Sequence, residues 1–335
     1  MNSQNDQLIA HLTSRIRHRG SISFRDYMED VLYHPQFGYY TSSQFRIGRE
    51  GDFYTSSDLD PIFGKLLSRY LEKLSEDFDE FTVLELGAGK GILARDVLAN
   101  HQFRYKILER SVAMKAHQQR LLENFDVEWI DDFPARFSGF VFSNEFFDAL
   151  PVHRFVGRGG GVKEIFVSED FKEIELEPSV AVNFSLEEGQ IADINFEAPS
   201  WIRRIGKSLK RGFHVAIDYG YLRDEFFAQP RGTLMCYWRH QAHENPYVHV
   251  GEQDITAHVN FSELIDAGAD CGLEFVSLSS QKDFLVNLGI LDEMQQLAYT
   301  GDAASMQRLL RMKNLIVPDR MGSRFKVLVQ HRRPL

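Results

Sequence analysis

The chain has 335 residues, 43% of them hydrophobic and 26% charged. That composition supports a buried core and excludes a disordered polymer, and no run approaches the ~18 consecutive apolar residues of a membrane-crossing helix. The 38 basic and 48 acidic residues leave a net charge of -10, which argues against a nucleic-acid partner or an anionic membrane, both of which call for a positive face. With only 2 cysteines there is no disulfide framework, so a reducing, cytoplasmic location is expected.

In chain order, residues 6–17 place Leu8, Ile9, Leu12 and Ile16 on one helical face. No long apolar run opens the chain, and no secretory signal is expected. Residues 20–75 are aromatic-rich and turn-rich, closing on a helical stretch over 61–74. Short apolar runs at 81–86, 105–108, 127–130, 140–143 and 213–217 then alternate with helical patterns at 92–99, 111–123 and about 201–209. Strands alternating with helices predict a mostly parallel sheet covered on both faces. Runs at 152–155 and 162–167 flank Gly157-Arg158-Gly159-Gly160-Gly161, a hairpin with a glycine turn rather than an RNA-binding tail. Helices follow over 284–288 and 291–299. Two last strands, 273–279 and 325–330, predict an antiparallel edge on the sheet. The expected organisation is an extension over 1–77, a core of 78–150 plus 201–335, and an inserted hairpin or lid region over 151–200.

The most informative turn is Glu85-Leu86-Gly87-Ala88-Gly89-Lys90-Gly91-Ile92, a strand entering three alternate glycines and then a helix. Missing Cβ atoms let a ligand lie against backbone at the carboxyl ends of the strands. A dinucleotide fingerprint needs its third glycine where Ile92 stands, and Glu85 would repel a diphosphate. The next strand ends in Glu109, where a carboxylate accepts ribose hydroxyls. That geometry serves several nucleosides. Asp131 and Asp132 end the third strand, where an acid can face an adenine amino group or simply be solvated. Acid-x-Gly-x-Gly-x-Gly is similar to motif I of the class I S-adenosylmethionine (SAM) methyltransferases.

At the fourth strand stands Asn144-Glu145-Phe146-Phe147-Asp148-Ala149-Leu150-Pro151, which closely resembles the signature of the MidA-type methyltransferases. The match extends over roughly residues 20–330. It includes His34-Pro35-Gln36-Phe37-Gly38-Tyr39-Tyr40, Gly51-Asp52-Phe53-Tyr54-Thr55-Ser56 and Asp218-Tyr219-Gly220. It departs from the family at Ala88, where proline is frequent, loosens after Leu234 and thins beyond Gly289. The resemblance implies a Rossmann-like α/β fold with a seven-stranded sheet, SAM as cofactor and S-adenosyl-homocysteine (SAH) as product. It also implies a protein arginine as acceptor, in respiratory complex I assembly. Glu85, Gly87, Ala88, Gly89, Gly91, Glu109 and Asp131 would bind cofactor, with Thr55 on a lid over it.

Guanidinium stays protonated at any working pH, so an arginine acceptor brings a second cation to the sulfonium. Glu145 is expected to grip the guanidinium and Asn144 to orient the target nitrogen. Asp148 is expected to add negative potential or hold the strand-end turn, and Asp218 and Tyr219, ending the fifth strand, to complete the wall opposite. Asn144 and Asp148 also have plain readings as turn and helix caps. A small-molecule or different protein acceptor, and a binding module without turnover, are the competing functions; a nicotinamide enzyme is disfavoured by Ile92. His240 and His243 lack the partners of a metal site. The oligomeric state is not set by the sequence, a homodimer being one expectation.

Overall fold

The computed structural model describes residues 4–41, 59–317 and 322–334. The chain divides into two compact units, one of Met1–Phe53, Phe147–Ala198 and Tyr221–Ser262, the other of Tyr54–Phe146, Pro199–Gly220 and Glu263–Leu335. The expected extension and inserted region thus fall in one unit, residues 147–150 and 221–262 leave the expected core for it, and the helical stretch after residue 54 joins the second.

Labels below number the strands and helices of the second unit. Its sheet comprises β1 (Thr82–Leu86), β2 (Arg104–Leu108), β3 (Val127–Ile130), β4 (Phe137–Asn144), β5 (Leu209–Tyr221), β6 (Glu274–Ser280) and β7 (Phe325–Arg332), in the order β6-β7-β5-β4-β1-β2-β3. The first five are parallel, and β7 runs against both β5 and β6. The two late strands therefore form the expected edge, although only β7 is reversed. β1 is buried along its whole length, as a central parallel strand covered on both faces must be.

Three helices place the site: α1 (Ile62–Ser75), α2 (Ile92–Leu98) and α3 (Val112–Leu121). α1 buries Ile62, Phe63, Leu66, Leu67 and Leu71, an i, i+4 stripe that joins Val83, Val97, Phe140 and Val215 in one core. That shared core is why α1 belongs with the sheet. α1 and α2 approach so closely that a Cβ on Gly64 would lie 2.4 Å from Cβ of Asp96. α3 starts at Ser111, whose hydroxyl accepts the Met114 N–H at 3.2 Å.

In the first unit, the helices Gln4–Arg19 and Phe24–Tyr33 bury Leu8, Leu12, Ile16, Phe24 and Tyr27 with Val167, Leu234 and Ile255. His153–Arg158 and Gly161–Val167 form the expected glycine-turn hairpin, flanked by Ile191–Ile194 and Ile22–Ser23. Asn144 ends β4, and residues 145–150 form bends and turns, so Asp148 caps no helix.

Candidate cofactor and acceptor site

Gly87, Gly89 and Gly91 all take left-handed backbone, at φ 61°, 51° and 76°, a region L side chains enter at a cost of about 1–2 kcal/mol. The turn is pinned at both ends. Gly87 donates its N–H to the Leu108 carbonyl at 3.0 Å, and Gly91 donates to Ala88 at 2.8 Å. A Cβ on Gly87 would reach Cδ2 of Phe146 at 2.6 Å, and one on Gly91 would reach Cγ of Gln118 at 3.3 Å. On Gly89 it would meet no described atom within 4 Å. The middle of the loop thus presents open backbone while its flanks are packed.

Below the loop, Glu85 is 2% exposed and its Oε2 accepts the Tyr105 hydroxyl at 2.7 Å. Burial pushes its carboxyl up to about 7, opposed by the Tyr105 bond and reinforced by the Glu109 charge. Glu85 is therefore partly protonated near neutral pH, so its charge is a weaker barrier to a diphosphate than the sequence alone implied.

Glu109 follows β2. Its Oε1 accepts the Ser111 N–H at 2.8 Å and its Oε2 accepts the Gln118 amide at 3.0 Å. Burial raises its carboxyl above the ordinary range, and these donors pull it back. Asp131 is solvent-exposed and paired with Lys115 at 3.2 Å. Asp132 is exposed as well and pairs with Arg204 at 2.5 Å.

At the ends of β4 and β5, Asn144 donates from Nδ2 to Oε1 of Glu145 at 3.1 Å. Its Oδ1 is buried without a hydrogen-bond partner among the described residues. Glu145 takes φ 53°, uncommon for a residue with a side chain, and donates its N–H to the Ile217 carbonyl at 2.9 Å. Asp218 is fully buried, and its Oδ2 accepts the Phe146 N–H at 3.2 Å. Asp218 thereby holds the segment whose Phe146 ring covers Gly87 and meets Trp201 edge-on at 5.0 Å. The visible work of Asp218 is to position the β4 turn. Tyr219 packs its ring on Phe325 at 3.9 Å.

The second unit thus brings together Glu85, the glycine turn, Glu109, Asn144, Glu145, Asp218 and Tyr219 at the carboxyl ends of parallel strands. Asp148 falls in the first unit, buried, with its carbonyl accepting the Ala257 N–H at 2.9 Å. Thr55, with the whole segment 51–56, lies outside the described residues. Two contributors went unread in the sequence. Phe146 stands inside the β4 motif with no sequence signal for its contact with Gly87. Gln118 gave one signal, an amide four residues from Met114 on the buried face of α3.

This strand order, with a strand–Gly-x-Gly-x-Gly–helix turn and an acid closing the next strand, defines a nucleoside-cofactor enzyme of the class I methyltransferase type. Residues 63–279 match the model of the S-adenosyl-L-methionine-dependent methyltransferase family, and the chain belongs to that family. Among its relatives is the protein arginine methyltransferase NDUFAF7, mitochondrial, of Danio rerio. It is 27% identical over 97% of this chain and 86% of its own. The Homo sapiens protein of the same name is 27% identical over 97% and 84%. A Burkholderia thailandensis protein crystallised with SAH superposes with a TM-score of 0.91 at 32% identity, covering 98% of this chain and 93% of its own. SAM is accordingly the cofactor. The residues present fit it: Gly89, where a Cβ would meet no described atom within 4 Å, for close approach, and Glu109 as hydroxyl acceptor.

Proposed function

We propose that the chain methylates an arginine side chain of a protein, using SAM as the methyl donor. The observation that carries this reading is the β4 terminus. Glu145 is held in left-handed backbone and bonded to Asn144, whose Oδ1 is a buried acceptor with no donor among the described residues. A guanidinium supplies donors for both. The relatives named as protein arginine methyltransferases support the same acceptor, and a subunit of a respiratory complex is the substrate class the motif resemblance implies.

SAM supplies an electrophilic methyl on a sulfonium, with SAH as the leaving group. The N–C bond replaces the S–C bond and the target nitrogen gives up one proton to solvent; the protein's task is alignment and charge. Two unit cations ~4 Å apart repel by ~4 kcal/mol at an effective dielectric near 20. Glu145 offsets that repulsion and fixes the guanidinium plane through charge-assisted bonds. Asn144 Oδ1 accepts an N–H and aims the target nitrogen. Asp218 acts one step back, by holding Phe146 and the turn that carries Glu145. Glu109 anchors the ribose end of the cofactor. Both thiols are free, Cys236 buried and Cys271 partly so, in keeping with a reducing compartment, which fractionation of the producing cell with a thiol-labelling step would test.

Glu145→Gln keeps the shape and removes the charge. We expect unchanged SAH affinity and a loss of at least about a hundredfold in labelled-methyl transfer to a protein acceptor, the scale of ~3 kcal/mol of transition-state charge stabilisation. Mass spectrometry of the labelled band names the modified residue. A full rate in the variant, or label on a residue other than arginine, would overturn the proposal.

A further inference from the structure

We propose that Gln118 is a positioning residue for cofactor binding: its carboxamide holds the Glu109 carboxylate and the Gly89 peptide in the one arrangement that accepts the ribose hydroxyls of an adenosyl ligand. The inference rests on the reading of Glu109 as the ribose acceptor and goes beyond it.

Gln118 has no solvent exposure and links three segments. Its Nε2 donates to the Gly89 carbonyl at 2.8 Å and to Oε2 of Glu109 at 3.0 Å, while its Oε1 accepts the Trp129 indole N–H at 2.9 Å. An amide nitrogen has two hydrogens, and here each has an acceptor. The orientation is set as well. An amide turned over would aim its oxygen at a carbonyl and a carboxylate and leave the indole N–H without an acceptor. Its stem also packs beneath Gly91. One buried side chain therefore touches the middle of the glycine turn, its last glycine and the acid at the end of β2.

What it controls is rotation of Glu109. With the Ser111 N–H on Oε1 and the Gln118 amide on Oε2, each carboxylate oxygen is held by its own donor, one at the start of α3 and one about two turns along it. A carboxylate accepts at about four lone-pair sites, so one pinned in this way retains capacity for ligand hydroxyls. Removing Gln118 frees one oxygen and the Gly89 carbonyl together. A buried glutamine is costly unless satisfied, and an apolar residue would complete the Met114 face of α3 more simply. A purely structural glutamine would serve every ligand alike, and that difference can be measured.

The full chain is titrated calorimetrically with SAH and with its 2′,3′-dideoxy analogue, comparing wild type, Gln118→Met, Trp129→Phe and Glu109→Gln. Gln118→Met should lose about tenfold in SAH affinity, the scale of one bond to a charged group, and stay within about twofold of wild type for the dideoxy ligand. Trp129→Phe leaves Gln118 in place but unoriented, so a smaller loss with the same ligand selectivity is expected. It keeps the test open should Gln118→Met fold poorly by circular dichroism. Equal losses for both ligands in the Gln118 and Trp129 variants, or none, would overturn the proposal when Glu109→Gln loses affinity for SAH and keeps it for the dideoxy ligand. Equal losses for both ligands in Glu109→Gln, or none, would overturn the ribose reading itself, and this inference with it.

Discussion

Replacing Glu85 by glutamine removes a buried acid while keeping an oxygen for the Tyr105 hydroxyl. In the folded chain burial moves this carboxyl from 4.5 to about 7, which at ~1.4 kcal/mol per tenfold is worth about 3 kcal/mol. The sign follows from which state holds the proton. Below pH 4.5 both states are protonated and no penalty exists. Between 4.5 and about 7 the unfolded chain ionises while the folded one keeps its proton, so stability falls as pH rises. Above 7 the loss levels off at its full value. Glu85→Gln lacks this limb. Urea unfolding at half-unit steps from pH 4.5 to 8, followed by tryptophan fluorescence, should show the variant gaining about 3 kcal/mol on the wild type across the range. Taking the difference between the two proteins cancels every titrating group that does not interact with Glu85. A difference that stays constant with pH would show that the carboxyl ionises normally, and the picture of Glu85 as a buried prop that keeps its proton up to about pH 7 would fail.

His214 gives the opposite limb: it is fully buried, and burial moves its ring from 6.5 to about 4. Its contribution is intact above pH 6.5 and drains by about 3 kcal/mol as pH falls towards 4. The same urea series on His214→Gln should lack that acid limb, and an identical limb in both proteins would refute the assignment. Gly87→Ala should lower the melting temperature and weaken SAH binding at least about tenfold, because left-handed backbone costs about 1–2 kcal/mol and the methyl meets Phe146. Gly20→Ala, at φ 81° with nothing within 4 Å, isolates the backbone strain and should leave SAH affinity unchanged; matching SAH losses would discount the Phe146 contact. In the first unit, Arg154 donates from Nε to Asp193 at 2.9 Å with both groups buried. Arg154→Met should destabilise by about 3–5 kcal/mol through an unpaired buried charge. A calorimetric loss below about 1 kcal/mol would mean that the Thr233 and Leu234 N–H groups, which also bond Asp193, suffice without the arginine.

Amino-acid order alone determined the parallel sheet, the glycine turn, Glu109 at the end of β2 and the hairpin around residues 157–161. Each is a local pattern, a run of apolar residues or a glycine whose conformation depends on its immediate neighbours. It also carried the family, because Asn144-Glu145-Phe146-Phe147-Asp148-Ala149-Leu150-Pro151 is contiguous. What required tertiary structure involves partners far apart in the chain. The unit that receives residues 221–262 follows from Leu234, Cys236 and Ile255 packing on Leu8, Leu12 and Tyr27, a choice no local pattern encodes. Asp218 was legible as an acid at a strand end, but its hold on the Phe146 backbone was not, since 72 residues separate them. For Gln118 the sequence offered its place on the Met114 face but not its role: its bonds run to Gly89, Glu109 and Trp129, and a side chain's hydrogen-bonding role is set by what folding brings within about 3 Å of it. The protonation of Glu85 likewise depended on burial, which belongs to the packed molecule and not to the order of its residues.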